Sequence, residues 1–76
     1  MNYQKAEKIY KALANKRRLA IIYVLSKEDK ISVGEISEKI KLSLTSTSKH
    51  LQILKNAGLI DSEQVNTEQY YYLINR

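Results

Sequence analysis

The 76-residue chain is 43% hydrophobic and 28% charged, has no cysteine and one histidine, and carries a formal net charge of +5. A chain this short builds one domain, expected to span residues 1–76, around a core that rarely gives more than ~3–5 kcal/mol without a partner. The absence of cysteine excludes a disulfide framework and a thiolate metal site, and the single histidine argues against a histidine-based one, so neither a metal nor a cofactor is expected.

Tyr3 to Ala14 sets Ala6, Ile9, Tyr10 and Leu13 at helical spacing, with Lys5, Lys8 and Lys11 elsewhere on the cylinder. Asn15 caps a second helix through Ser26, in which Leu19, Ile22 and Leu25, joined by Ile21 and Val24, make a wide apolar face for a central position. Lys27 to Lys30 is a polar turn, and Ile31 suits a very short strand. Ser32 and Glu35 form a Ser-x-x-Glu capping box that opens a third helix, with Ile36 and Ile40 one turn apart.

Lys41 and Leu42 turn the chain, and Ser43 caps a fourth helix, 43–57. There Thr47, Leu51 and Leu54 share one face and should point inward. Thr45, Lys49, Gln52 and Asn56 lie opposite, with Ser48 on the shoulder. Asn56-Ala57-Gly58 ends the helix, Gly58 being free to take the left-handed conformation. Leu59 to Gln64 and Gln69 to Ile74 read as strands around the turn Val65 to Glu68, where Asn66 tolerates positive φ.

The order is helix, helix, short strand, helix, helix, strand, strand. It predicts a mainly α fold with a small β-hairpin: a winged helix-turn-helix of four helices, a short strand and a two-stranded wing. The helix-turn-helix occupies about 32–57 and the wing about 59–74.

Charge is unevenly placed. Residues 1–58 carry twelve Lys/Arg and five Asp/Glu, whereas residues 59–76 carry Arg76 against Asp61, Glu63 and Glu68. A basic body favours a polyanion, and nucleic acid is the usual one. No apolar run approaches the ~20 residues that span a bilayer. Met1 begins a polar segment, so no membrane partner and a cytoplasmic location are expected.

A helix-turn-helix on a basic body docks its second helix in the DNA major groove. Ser43 and the first amides of its helix are then placed for a phosphate. Thr45, Ser46 and Ser48 offer hydroxyls to bases or phosphates, with Lys49 suited to guanine and Gln52 to adenine. Arg18, Lys16 and Lys41 add charge along the backbone. Arg17 and Arg18 open the second helix, where cations oppose the helix dipole, a placement that suits a phosphate partner. His50 could contact phosphate, but its place beside the Thr47/Leu54 face favours packing. The tyrosines 70–72 divide between core and strand surface.

Four segments resemble the ArsR family of prokaryotic winged-helix repressors. Leu13-Ala14-Asn15-Lys16-Arg17-Arg18-Leu19-Ala20-Ile21-Ile22 is similar to the family's Leu-Ala-Asp-Pro-x-Arg-Leu-x-Ile-Leu opening. Leu42 to Leu54 resembles its Leu-Ser-Gln-x-x-Val-Ser-x-His-Leu-x-x-Leu recognition helix. Ala57-Gly58-Leu59-Ile60 and Tyr70-Tyr71-Tyr72-Leu73 resemble the Ala-Gly-Leu-Val segment and the wing strand. The resemblance covers about residues 10–74 and implies a sequence-specific double-stranded DNA binder that represses by occluding a promoter.

The departures are informative. Ser32 and Gly34 stand where metal-sensing members carry Cys-x-Cys at the third helix. Asn66-Thr67 stands at the wing tip between Glu63 and Glu68, where relatives carry Gly-Arg, and acidic groups there are repelled by phosphate. The resemblance implies a homodimer through the first helix and a helix after the wing. The sequence ends at Arg76 before the latter, so the expected interface is Tyr3, Ala6, Ile9, Tyr10 and Leu13 of the first helix. Such a two-fold dimer would set two recognition helices about one DNA turn (~34 Å) apart. The alternative reading is a winged-helix protein-interaction module, since fold does not fix function. No nucleophile, acid pair or phosphate-binding glycine loop points to an enzyme.

Overall fold

A computed structural model describes residues 2–74. Four helices carry a three-stranded antiparallel sheet: α1 (Tyr3–Leu13), α2 (Lys16–Lys27), β1 (Ile31–Ser32), α3 (Val33–Ile40), α4 (Leu44–Asn56), β2 (Ile60–Val65) and β3 (Glu68–Leu73). This is the winged helix-turn-helix that the order of elements predicts.

Local chemistry sets each helix start. The Asn2 side chain accepts from the Lys5 amide at 3.0 Å, and the Asn15 side chain from Arg17 and Arg18 at 2.9 and 3.2 Å. Ser32 and Glu35 close the capping box of α3, and Ser43 Oγ accepts from the Ser46 amide at 3.1 Å at the start of α4. Each satisfies an amide that the first helical turn leaves without an acceptor.

Two helices end in the same way. The Leu59 amide donates to Leu54 and the Gly58 amide to Lys55, with Gly58 at φ +78°. At the end of α3 the Leu42 amide donates to Ser37 and the Lys41 amide to Glu38, with Lys41 at φ +56°. Both are Schellman closures, which need one left-handed residue. Glycine takes that conformation freely, whereas Lys41 takes it at a cost of about 1 kcal/mol. That left-handed residue makes the tight turn of the helix-turn-helix.

Ile21 and Leu25 of α2, Ile36 of α3, Leu51 and Leu54 of α4, Ile31 of β1 and Ile60 of β2 form the core, with Ala12 of α1 sealing one side. Each of the large residues touches partners from other elements, so truncating Leu51 to Ala should cost about 2–5 kcal/mol. The inward face of α4 is as expected: Thr47, Leu51 and Leu54 are fully buried. The Thr47 hydroxyl finds no hydrogen-bond partner there.

β3 lies between β1 and β2, with Ile31 opposite Tyr71 and Ile60 opposite Leu73. The wing turn is shorter than the expected four residues: Val65 pairs with Glu68, leaving Asn66 and Thr67 as the loop, with Asn66 at φ +59°. Both strands keep six residues but sit one position nearer the turn than expected, so Leu59 and Ile74 fall outside them and are joined by the Ile74 amide donating to the Leu59 carbonyl. Tyr70, Tyr71 and Tyr72 are all half-buried.

Leu19 departs from expectation. Placed inward by its spacing, it is 51% exposed. The core contacts of α2 centre on Ile21 and Leu25, which turns Leu19 and Tyr23 to solvent. The α1 face also divides. Tyr3 and Tyr10 are exposed, Ala6, Ile9 and Leu13 are half-buried, and Ala12 is the residue that reaches the core.

Candidate nucleic-acid interface

Because Thr47, Leu51 and Leu54 anchor α4 to the core, the opposite side of that helix meets solvent. Thr45, Ser48, Lys49, Gln52 and Asn56 are all exposed, and Ser46 is half-buried. The Gln52 amide nitrogen donates to Asn56 Oδ1 at 2.9 Å, a one-turn pair that holds the Gln52 carboxamide along the helix. Lys49 makes no ion pair among the described residues. A helix face of short hydroxyls with one cation and one carboxamide can approach a groove closely and offer donors and acceptors to base edges.

Ser43 is exposed, but its Oγ is committed to the Ser46 amide. The amides of Leu44 and Thr45 are the ones that the helix start leaves open to an anion. Lys41 stands exposed at the turn before them. Behind the turn, a groove of about 590 Å³ lies between α2 and α3, rimmed by Lys16, Arg17 and Lys39 over Ala20, Val24 and Ile40. Lys39 extends the basic edge next to Lys41. The sequence reading missed it because lysine on a solvated helix face carries no distinguishing signal.

Arg18, which the sequence places among the residues adding charge along the DNA backbone, is bonded within the protein. Nε donates to the Ala12 carbonyl at 2.5 Å and Nη2 to the Lys11 carbonyl at 3.3 Å. Nη1 approaches His50 Nδ1 at 3.2 Å. The cation that opposes the dipole at the start of α2 therefore sits at the end of α1, where carbonyls and dipole favour it. Because arginine only donates, His50 Nδ1 accepts and the ring proton belongs on Nε2. Burial, then the charges of Arg18 and Arg17, hold the His50 pKa below its usual value. His50 is half-buried and joined to Arg18 by a polar contact, where the sequence favours packing over a phosphate contact.

The wing is less acidic in space than in sequence. Glu63 of β2 pairs with Lys30 from the turn before β1, an ion pair that raises the Lys30 pKa. The Tyr70 hydroxyl donates to Glu68 at 3.4 Å. At the other end of β2, Lys55 of α4 donates to Ser62 Oγ at 3.0 Å and lies 3.9 Å from Asp61. The Lys55 contacts link α4 to the base of the wing. Among the described residues no cluster of acidic, histidine or cysteine side chains could hold a metal, and no helix is long and apolar enough to cross a membrane.

The family model described as bacterial regulatory protein, arsR family, matches residues 15–62, which hold α2, both helices of the helix-turn-helix and the start of the wing. The chain belongs to the arsR family. An HTH-type transcriptional regulator of Methanocaldococcus jannaschii is 33% identical over 96% of this ArsR-family chain and 82% of its own length. The arsenical resistance operon repressor of Bacillus subtilis is 39% identical over 92% of this chain and 67% of its own. A homodimeric winged helix-turn-helix DNA-binding domain from Mycobacterium bovis superposes with a TM-score of 0.89 at 35% identity, over 93% of this chain and 65% of that one. This ArsR-family chain is a transcriptional regulator built on the winged helix-turn-helix DNA-binding fold.

Proposed function

We propose that this chain binds double-stranded DNA sequence-specifically as a two-fold homodimer, acts as a repressor in the cytoplasm, and has no enzymatic activity. The observation that carries the reading is the solvent face of α4. Thr45, Ser48, Lys49 and Gln52 are exposed on a helix whose other side is locked into the core. The repressor role follows the Bacillus subtilis relative, and the homodimer follows the Mycobacterium bovis domain.

In this mechanism the open amides of Leu44 and Thr45 hold a phosphate at the groove edge. Ser46 and Ser48 hydroxyls add contacts, Lys49 reads guanine and Gln52 reads adenine. Lys16, Arg17, Lys39 and Lys41 fasten the flanking backbone without reading sequence. Arg18 acts indirectly, by tying α1 to α4. The dimer uses α1, where Tyr3 and Tyr10 stand in solvent beside the half-buried Ala6, Ile9 and Leu13. Exposed tyrosines suit an interface that is apolar on one side and wet on the other.

The test is selection of duplexes from a random pool, followed by titration of the preferred and a scrambled duplex across salt. Preference for one pseudo-palindromic sequence, with affinity falling steeply as salt rises, is expected. Equal, salt-insensitive binding to both would point to a protein-interaction module instead.

A further inference from the structure

The base-facing end of α4 carries one residue that the polar readout does not use. Leu44 is the first residue of the helix and is 55% exposed. Its neighbours through the next turn are Thr45, Ser46 and Ser48, all short hydroxyl side chains. In a helix docked in the major groove the N-terminal residues approach the base edges. Short hydroxyls let the backbone come close, and Leu44 is the exposed large apolar side chain at that end. An isolated exposed leucine is ordinary on a protein surface, but here it falls at the end of the helix that meets the groove.

The major-groove edge has one apolar group, the C5 methyl of thymine. A leucine pressed against any other base edge would cover donors or acceptors without replacing their water, which costs affinity. We infer that Leu44 is a specificity-determining residue that reads a thymine methyl in each half-site, beside the bases read by Lys49 and Gln52. The inference rests on the DNA-binding reading above and adds to it a base preference set by apolar contact rather than by hydrogen bonding.

Deoxyuridine differs from thymidine only by that methyl, so it isolates the contact. The full chain is titrated with its preferred duplex and with versions in which each thymine is replaced in turn by uracil. Burying one methyl corresponds to about a four-fold change in affinity. A loss of that size is expected at one thymine per half-site and little change at the others. Leu44→Ala should bind the parent duplex about three- to ten-fold more weakly and lose its sensitivity to that uracil. Alanine favours the helix, and the site is exposed, so the variant should keep its fold. Thr45→Ser removes the other methyl nearby and should leave the uracil effect in place.

A uracil scan that is flat at every position overturns the inference while leaving the DNA-binding reading intact. So does a Leu44→Ala variant that stays sensitive to the same uracil. Failure to select any preferred duplex would instead sink the DNA-binding reading, and this inference with it.

Discussion

Arg18 Nη1 lies 3.2 Å from His50 Nδ1, while Nε of the same guanidinium bonds the Ala12 carbonyl at 2.5 Å. One side chain of α2 thereby ties the recognition helix to the end of α1. The proposed DNA-reading and dimerisation elements of the regulator meet at this arginine.

That link makes stability pH-dependent. The His50 pKa is lowered in the folded state, first by burial and then by Arg18 and Arg17. The unfolded chain therefore binds a proton more readily, so the histidine's contribution is fully present above its ordinary value of about 6.5. It is lost as pH falls through the lowered folded value. Urea midpoints should drop between pH 7.5 and pH 5 by more in the native sequence than in His50→Gln. Equal drops would remove His50 as the cause.

Arg18→Ala should cost about 1–2 kcal/mol, because it strips carbonyls at the end of α1 of a charged donor. Arg18→Lys should restore only part of this, since an ammonium lacks the guanidinium fork. Thermal unfolding reads the loss as about 4–8 °C per kcal/mol for a chain of this size. A melting temperature unchanged in Arg18→Ala would show that the three contacts contribute nothing net.

Thr47 is fully buried with an unpartnered hydroxyl. Valine has nearly the same shape and a similar helix propensity, and it removes a polar group that was dehydrated without compensation. Thr47→Val should stabilise the protein by about 1 kcal/mol and leave DNA affinity unchanged. Destabilisation in urea would mean that the hydroxyl has an acceptor in solution.

Lys49→Ala should weaken the preferred duplex by about 1–3 kcal/mol and relax the choice at one base position. Lys16→Ala, on the rim of the α2–α3 groove, should weaken every duplex alike and reduce the salt slope by about one. Competition titrations against single-base variants of the site separate the two patterns. An unchanged ranking of duplexes in Lys49→Ala would take that residue out of the base readout.

Tyr10 is 72% exposed, so Tyr10→Asp should leave the fold largely intact while placing a charge in the proposed α1 interface. At about 100 μM, well above a micromolar dissociation constant, sedimentation should show a dimer for the native chain and a monomer for the variant. A native chain that sediments as a single 8.8 kDa species there would rule out this interface in the absence of DNA.

What the sequence by itself determined was local. Asn15, Ser32 with Glu35, and Ser43 announced three helix starts, because a cap acts within three residues of itself. Gly58 marked the end of α4, and the spacing of Thr47, Leu51 and Leu54 separated its core face from its solvent face. Tertiary structure decided whatever depends on residues far apart in the chain. Spacing alone placed Leu19 inward, but a wide apolar face holds more residues than the core accepts, and packing chose Ile21 and Leu25. Arg18 and His50 are 32 positions apart, and Lys30 and Glu63 are 33. No periodicity links such pairs; only the fold of α1, α4 and the wing around α2 brings their charges and carbonyls within reach.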